Sequence, residues 1–170
     1  MEANEVLIES FSRVSEHVHG VLAGIDDEWL TRTPIAGVNP IGWLIWHIAR
    51  GQDIQIAMLA DGEQEWVKGN WAPRFGLESD PWNMGYGHTP EQVASVQPES
   101  VQVLLDYYDA TWARTRTMLE DATTADLDRV VDENWDPPVT MGVRLVSIID
   151  DDVQHAGQAW YLRGLFERGR

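Results

Sequence analysis

The segment PIGWLIWHIARGQDIQIAMLA, from Pro40 to about Ala60, constrains the fold of this chain more than any other. Ile41, Trp43, Leu44, Ile45, Trp46 and Ile48 leave its first half no polar face, where a surface helix would show one. A helix apolar on nearly every side belongs in the middle of a fold, with other elements packed around it. The run IGWLIWHIA is far too short to span a bilayer. Asn39-Pro40 reads as an N-cap followed by proline at the first helical position. Asp61-Gly62 closes the helix.

Three further helices are available to surround it. The first spans about Asn4 to Ala23, with Leu7, Phe11, Val14 and Val18 at three- and four-residue steps. The third spans about Pro98 to Asp121, with Leu104, Tyr108, Trp112 and Leu119 on its stripe. The fourth spans about Thr140 to Glu167, with Met141, Leu145, Ile148, Ala159 and Leu162. No strand pattern competes. The expected architecture is all-α, a four-helix bundle in one domain over residues 1–170. Its unequal connections argue against a simple up-down-up-down order. Between helices two and three, residues 61–97 form a long irregular loop in which Trp66, Trp71, Phe75, Trp82 and Tyr86 alternate with glycines and prolines. Loops of this length often line a site, and the aromatics predict an ordered one with short helical turns.

Composition narrows the function. The formal net charge of -16 over 170 residues disfavours nucleic acid and anionic membranes as partners, and suits a site that attracts a cation. Glu2, Glu5, Glu9 and Glu16 near the start do not fit a secretory signal, so a cytoplasmic location is expected. With no cysteine, there is neither a disulfide framework nor a thiolate metal site.

Candidate ligands are His, Asp and Glu, and they gather in IIDDDVQHAGQ. Asp151 and His155 are four residues apart on the fourth helix, hence on one face. A carboxylate and an imidazole so placed can both reach one metal ion at about 2.0–2.2 Å. Asp152 is the alternative partner, leaning toward the rim or supporting the ligands, and Asp150 reads as a solvated acid. His47 supplies a third ligand from the buried second helix, with Gly51 leaving room one turn on. Two imidazoles and a carboxylate leave a coordination position open, as catalytic zinc sites do. Each part has a plainer reading. His47 alone is a core histidine satisfied by a hydrogen bond, and Asp151 with His155 alone is an ion pair on a helix face. His17 and His19 are surface residues; His88, in GYGHTP, is a loop contact that can cap the site.

NPIGWLIWHIARG resembles the second-helix motif of the DinB/YfiT-like metalloprotein superfamily, in which an aromatic-His-hydrophobic-Ala run carries the first metal ligand. DDVQHAGQAWYLRG resembles its fourth-helix motif, a ligand followed by three residues and then His-x-Gly-Gln. The resemblance extends over essentially the whole chain. It implies a four-helix bundle of unusual helix order, often dimeric, with His47 and His155 as ligands. Many members use three histidines. The mycothiol-dependent maleylpyruvate isomerase branch has a glutamate where this chain has the shorter Asp151. Gln158 matches a polar position that can orient His155 or a bound water.

The expectation is therefore a divalent metal, zinc first and nickel, manganese or iron as alternatives, held by His47, Asp151 and His155. A low-molecular-weight thiol of mycothiol or bacillithiol type would bind it and attack a small electrophile, making the protein a transferase or isomerase. Arg50 and Arg74 are the cations expected to meet an anionic thiol, and a homodimer is the expected assembly. The alternatives are a hydrolase using metal-bound water, with Asp152 or His88 as base, and a non-catalytic stress protein that binds metal or a small molecule.

Overall fold

The computed structural model describes residues 2–169. In chain order its helices are α1 (Ala3–Leu22), α2 (Ile41–Leu59), α3 (Glu65–Lys68), α4 (Pro90–Ser95), α5 (Val101–Asp121), α6 (Thr124–Asp128) and α7 (Met141–Arg168). A small antiparallel ribbon pairs β1 (Val130–Asp132) with β2 (Val139–Thr140). The starts of the long helices follow local chemistry. Ser100 and Thr140 each accept the backbone N–H three residues on, capping α5 and α7. Asn39 does not cap α2. Pro40 itself is extended and holds the cap position, so the first helical residue is Ile41. The ribbon is a second departure from the sequence reading: its paired segments are too short to show alternation.

Helix α2 is buried along almost its whole length, as its apolar character requires. It packs against α5 and α7, and α1 packs against the same two helices from the opposite side. Side-chain pairings give the directions. Asn4 meets Leu119, Phe11 stacks on Trp112 and His19 meets Asp109, so α1 and α5 run antiparallel. Arg163 reaches the carbonyls of Gly20 and Val21, while Leu7 shares a cluster with Met141 and Leu145, so α1 and α7 run parallel. His47 faces Asp151 and Gln55 faces Arg144, so α2 opposes α7 and therefore runs parallel to α5. Parallel neighbours need a connection that returns along the bundle. That is the physical reason for the long segment between α2 and α5.

This segment is anchored by polar contacts in a dry interior. Arg50, fully buried on α2, donates to the carbonyls of Asn83 (3.0 Å) and Pro81 (2.8 Å), to Gln64 (3.1 Å) and to Tyr107 of α5 (3.2 Å). Its guanidinium lies 4.8 Å from the centre of the Trp66 ring. Asp53, one turn on and equally buried, accepts the backbone N–H groups of Glu65 (2.9 Å) and Trp66 (2.8 Å) and the Tyr107 hydroxyl (3.0 Å). The Asp53 carboxylate thus satisfies the first N–H groups of α3, which has no side-chain cap of its own. Of the loop aromatics, Trp66 and Phe75 are buried, whereas Trp82 and Tyr86 are exposed. No helix among the described residues is long and apolar enough to cross a membrane.

Arg50→Met should lower unfolding free energy by about 3 kcal/mol, because the buried carbonyls of Pro81 and Asn83 and the Gln64 side chain lose their donor and Asp53 keeps only Arg114, 3.9 Å away. Urea denaturation at neutral pH measures the loss. A change below about 1 kcal/mol would show that the anchor is not where the loop draws its stability.

Candidate metal centre

His47, Asp151 and His155 converge between α2 and α7, with one potential ligand atom of each within 4.8 Å of the others. His47 is buried and His155 partly buried, while the Asp151 side chain is 48% exposed. The group therefore sits at the wall of the bundle with one side toward solvent.

The hydrogen bonds around the two imidazoles set their tautomers. His47 Nδ1 contacts the carbonyl of Met84, which can only accept, so Nδ1 carries the proton. His155 Nδ1 likewise donates to the carbonyl of Asp151, one turn earlier on its own helix, at 2.9 Å. In the neutral form each ring is left with a lone pair on Nε2. That of His47 lies 3.4 Å from Asp151 Oδ2. Two acceptors facing each other at this distance repel unless a positive species lies between them, a proton or a metal ion. Two ligands at about 2.0–2.2 Å from a tetrahedral ion are themselves about 3.4 Å apart. The spacing thus fits a shared ion without rearrangement of this pair. With a proton as that positive species, a hydrogen bond from His47 comes first among the causes that hold the Asp151 carboxyl below its usual pKa, followed on the same side by the charges of the protonated His155 and His47, against partial desolvation. The carboxyl is ionised at neutral pH, the state a ligand needs.

The rings are held from behind by the loop. Trp43 stacks on His47 with centroids 4.9 Å apart and planes 7° from parallel. Gly85 follows Met84 with φ +95°, a conformation that L side chains rarely adopt. A Cβ there would stand 2.7 Å from Trp43, 3.0 Å from Trp46 and 3.3 Å from His47 Nδ1. Only glycine lets the backbone approach closely enough for Met84 to hold the imidazole. Sequence reasoning missed both Met84 and Gly85. The NMGYGH glycines signal a turn, but nothing in them names the side chain that the turn reaches.

Other expected site residues lie elsewhere. His88 accepts from Trp43 Nε1 at 3.2 Å through Nδ1, so its Nε2 donates to Asn83 at 2.8 Å. Both nitrogens are committed, and burial first, then the charge of His47, lowers its pKa. It braces the tryptophan behind His47 instead of capping the site. Arg50 is sealed in the interior, and Arg74 is exposed and paired with Glu99, so neither faces the ligand group. Gln158 is exposed and lines a groove with Ile35, Leu44 and Tyr161, while the carbonyl of Asp151 holds His155. Asp150 is exposed and bonded to Gln154. His17 is exposed, as is His19, which pairs with Asp109. Gly51 is buried, yet nothing lies within 4 Å of where its Cβ would be.

Asp152 is the largest correction. It lies not at the rim but on the core stripe of α7, 1% exposed, with Oδ2 lacking any hydrogen-bond partner. Burial first, then the neighbouring charge of Asp151, pushes its pKa well above the usual carboxylate value. One residue separates a solvent-side carboxylate from a buried acid because successive helical positions differ by about 100°.

Residues 10–159 match the family model described as DinB superfamily. A solved structure titled as the crystal structure of a conserved protein from Enterococcus faecalis is 36% identical, with a TM-score of 0.86 over 96% of each chain. No curated protein matches.

Gly85→Ala should weaken metal affinity about 10- to 100-fold by displacing the carbonyl that orients His47, with helicity retained. Competition against a chromophoric chelator reads this, and unchanged affinity would refute the role. Asp152→Asn should be more stable than wild type at high pH. The folded-state pKa of Asp152 is raised, so the folded state binds the extra proton and stability falls as pH rises from the unfolded value toward the folded one, by up to about 1.4 kcal/mol per pH unit. Melts at pH values near 4 and 8 should show the two proteins converging at the lower pH and separating at the higher.

Proposed function

The chain belongs to the DinB superfamily, and from that premise we propose that His47, Asp151 and His155 hold one divalent metal ion that activates a small thiol for transfer to, or isomerisation of, an electrophile. The observation that carries the reading is His47 Nε2 facing an Asp151 oxygen at 3.4 Å, a spacing that a shared positive ion fits, with His155 beside them. Two imidazoles and one carboxylate are a nitrogen and oxygen donor set suited to zinc, with iron, nickel and manganese close behind. The half-exposed Asp151 and the free space beside Gly51 supply room for a further ligand.

The ion, when bound, supplies acidity: it deprotonates a coordinated thiol and lowers the pKa of coordinated water to about 7. The protein's own residues orient it. The Met84 carbonyl and the Trp43 face fix one imidazole, and the carbonyl of Asp151 fixes the other. Their positions favour a thiol over water as nucleophile. Hydrolysis calls for a base beside the ion. Of the two candidates, Asp152 is turned into the core and His88 has both nitrogens engaged. A thiol starts from a pKa of about 8.5, far below that of water, so when metal-bound it would give its proton to bulk solvent without a positioned base. The lack of cysteine in the chain is consistent with a sulfur brought from outside.

Protein purified without a histidine tag should carry about one equivalent of metal by elemental mass spectrometry. His47→Ala and Asp151→Ala should each lose it while keeping the far-ultraviolet circular dichroism of the bundle. A wild type that takes up no zinc, nickel, manganese or iron after reconstitution would overturn the proposal.

A further inference from the structure

The ligand group is one rung of the antiparallel α2–α7 pair, and a second rung lies further along. There Arg144 Nη1 approaches Gln55 Oε1 at 3.5 Å. From His47 to Gln55 on α2, and from Asp151 to Arg144 on α7, the helices rise about 10–12 Å at 1.5 Å per residue. Gly51 lies between the rungs on the α2 side. It is screened from bulk solvent, and the volume its side chain would occupy is empty to 4 Å. Gly51 therefore leaves free space on α2 midway between the ligand group and the second rung.

At the far end is a cavity of about 430 Å³ whose lining includes Gln55, Met58, Arg129, Val131, Asn134 and Arg144. The short β-ribbon forms its outer wall with Val130, Val131 and Asp132. Two of the chain's 12 basic residues meet here, although the chain as a whole carries a net charge of -16. Asp132 is the only acid in the lining, and it is paired with Arg144 through one Nη at 2.9 Å. Arg129 donates from Nη2 to the Leu59 carbonyl at 3.0 Å, and no carboxylate among the described residues lies within ion-pair distance of it. Its remaining N–H groups are available to an incoming acceptor. A guanidinium with no carboxylate in direct contact, although its charge reaches Asp126, in one lining with a second guanidinium and two side-chain amides, suits a planar oxyanion. Met58 and Val131 make the rest of the wall apolar.

We propose that this seam and cavity form the tail site for the small molecule bound at the metal centre. The ligand class is an elongated molecule with a metal-binding head, an aliphatic middle and a carboxylate about 10–12 Å from the head, received by Arg129 and Arg144. The inference rests on the reading of His47, Asp151 and His155 as metal ligands. It gives the anionic end of the ligand a receiver, which Arg50 and Arg74 do not provide.

The test uses zinc-loaded protein, with loading verified by elemental analysis on the same sample. Two probes are titrated calorimetrically: ω-mercaptooctanoate and the matched alcohol ω-mercaptooctanol. They share the thiol head and the chain and differ only in the terminal anion. The carboxylate should bind about tenfold more tightly, and Arg129→Gln and Arg144→Gln should each reduce that preference while leaving the affinity for the alcohol unchanged. Retained affinity for the alcohol also shows that the variants are folded. Equal binding of the two probes to wild type, a preference that survives in both variants, or no binding of either probe to loaded protein overturns the tail site. Failure to load zinc, nickel, manganese or iron is a different result and overturns the metal centre itself.

Discussion

The buried pair Arg50 and Asp53 is the constraint on which the rest of the structure depends. Because α2 and α5 are parallel neighbours, the chain must travel back along the bundle between them, and such a connection has no ladder of its own to hold it. Arg50 and Asp53 supply the missing partners. One gives donors to the carbonyls of Pro81 and Asn83, the other accepts the N–H groups of Glu65 and Trp66. Removing Asp53 leaves the buried Arg50 without a carboxylate, and removing Arg50 leaves Asp53 with only the more distant Arg114, 3.9 Å away.

The anchor also reaches the candidate metal centre. Arg50 holds the carbonyl of Asn83, and the next carbonyl, that of Met84, is the one on His47. A residue one turn past the ligand on α2 thus positions the loop that orients the ligand. Gly85 allows the close approach, and Trp43 and His88 fill the space behind. The sealed tryptophan side and the solvent-facing side of Asp151 give the site a back and a front. Proteins tune metal ligands in this way, through the groups that hold the imidazoles as much as through the imidazoles themselves.

Helix α7 shows how sharply a helix separates roles. Asp150 is solvated, Asp151 faces the imidazoles and Asp152 is in the core, all within three consecutive residues. The buried acid carries an unfavourable pKa shift and an unpartnered oxygen, a cost in stability borne next to the site. The same helix carries Arg144 about two turns away, where α2 and the ribbon meet it. One seam between two helices therefore holds the ligand group at one end and a basic cavity at the other.

Much of this is legible in the sequence. An apolar α2, three amphipathic companions and their periodicity determine an all-α bundle, because burial of those faces has few other solutions. The four-residue step from Asp151 to His155 puts both on one face of a helix whatever surrounds it. The motifs around His47 and His155 resemble those of the family whose model matches residues 10–159. Tertiary structure alone decided the rest, since each remaining choice depends on groups distant in sequence. Periodicity leaves Asp151 and Asp152 both eligible for the stripe; the positions of α1, α2 and α5 around α7 sent one to the imidazoles and the other to the core. Arg50 reads as a cation at a pocket until the loop closes over it. The carbonyl of Met84 carries no sequence signal at all, because every residue has one. Likewise Arg129 and Arg144 become neighbours only when a ribbon too short to read from its pattern folds against α7. The sequence by itself determines periodic faces and the chemistry set on them; which face meets which partner is settled by packing of the whole chain.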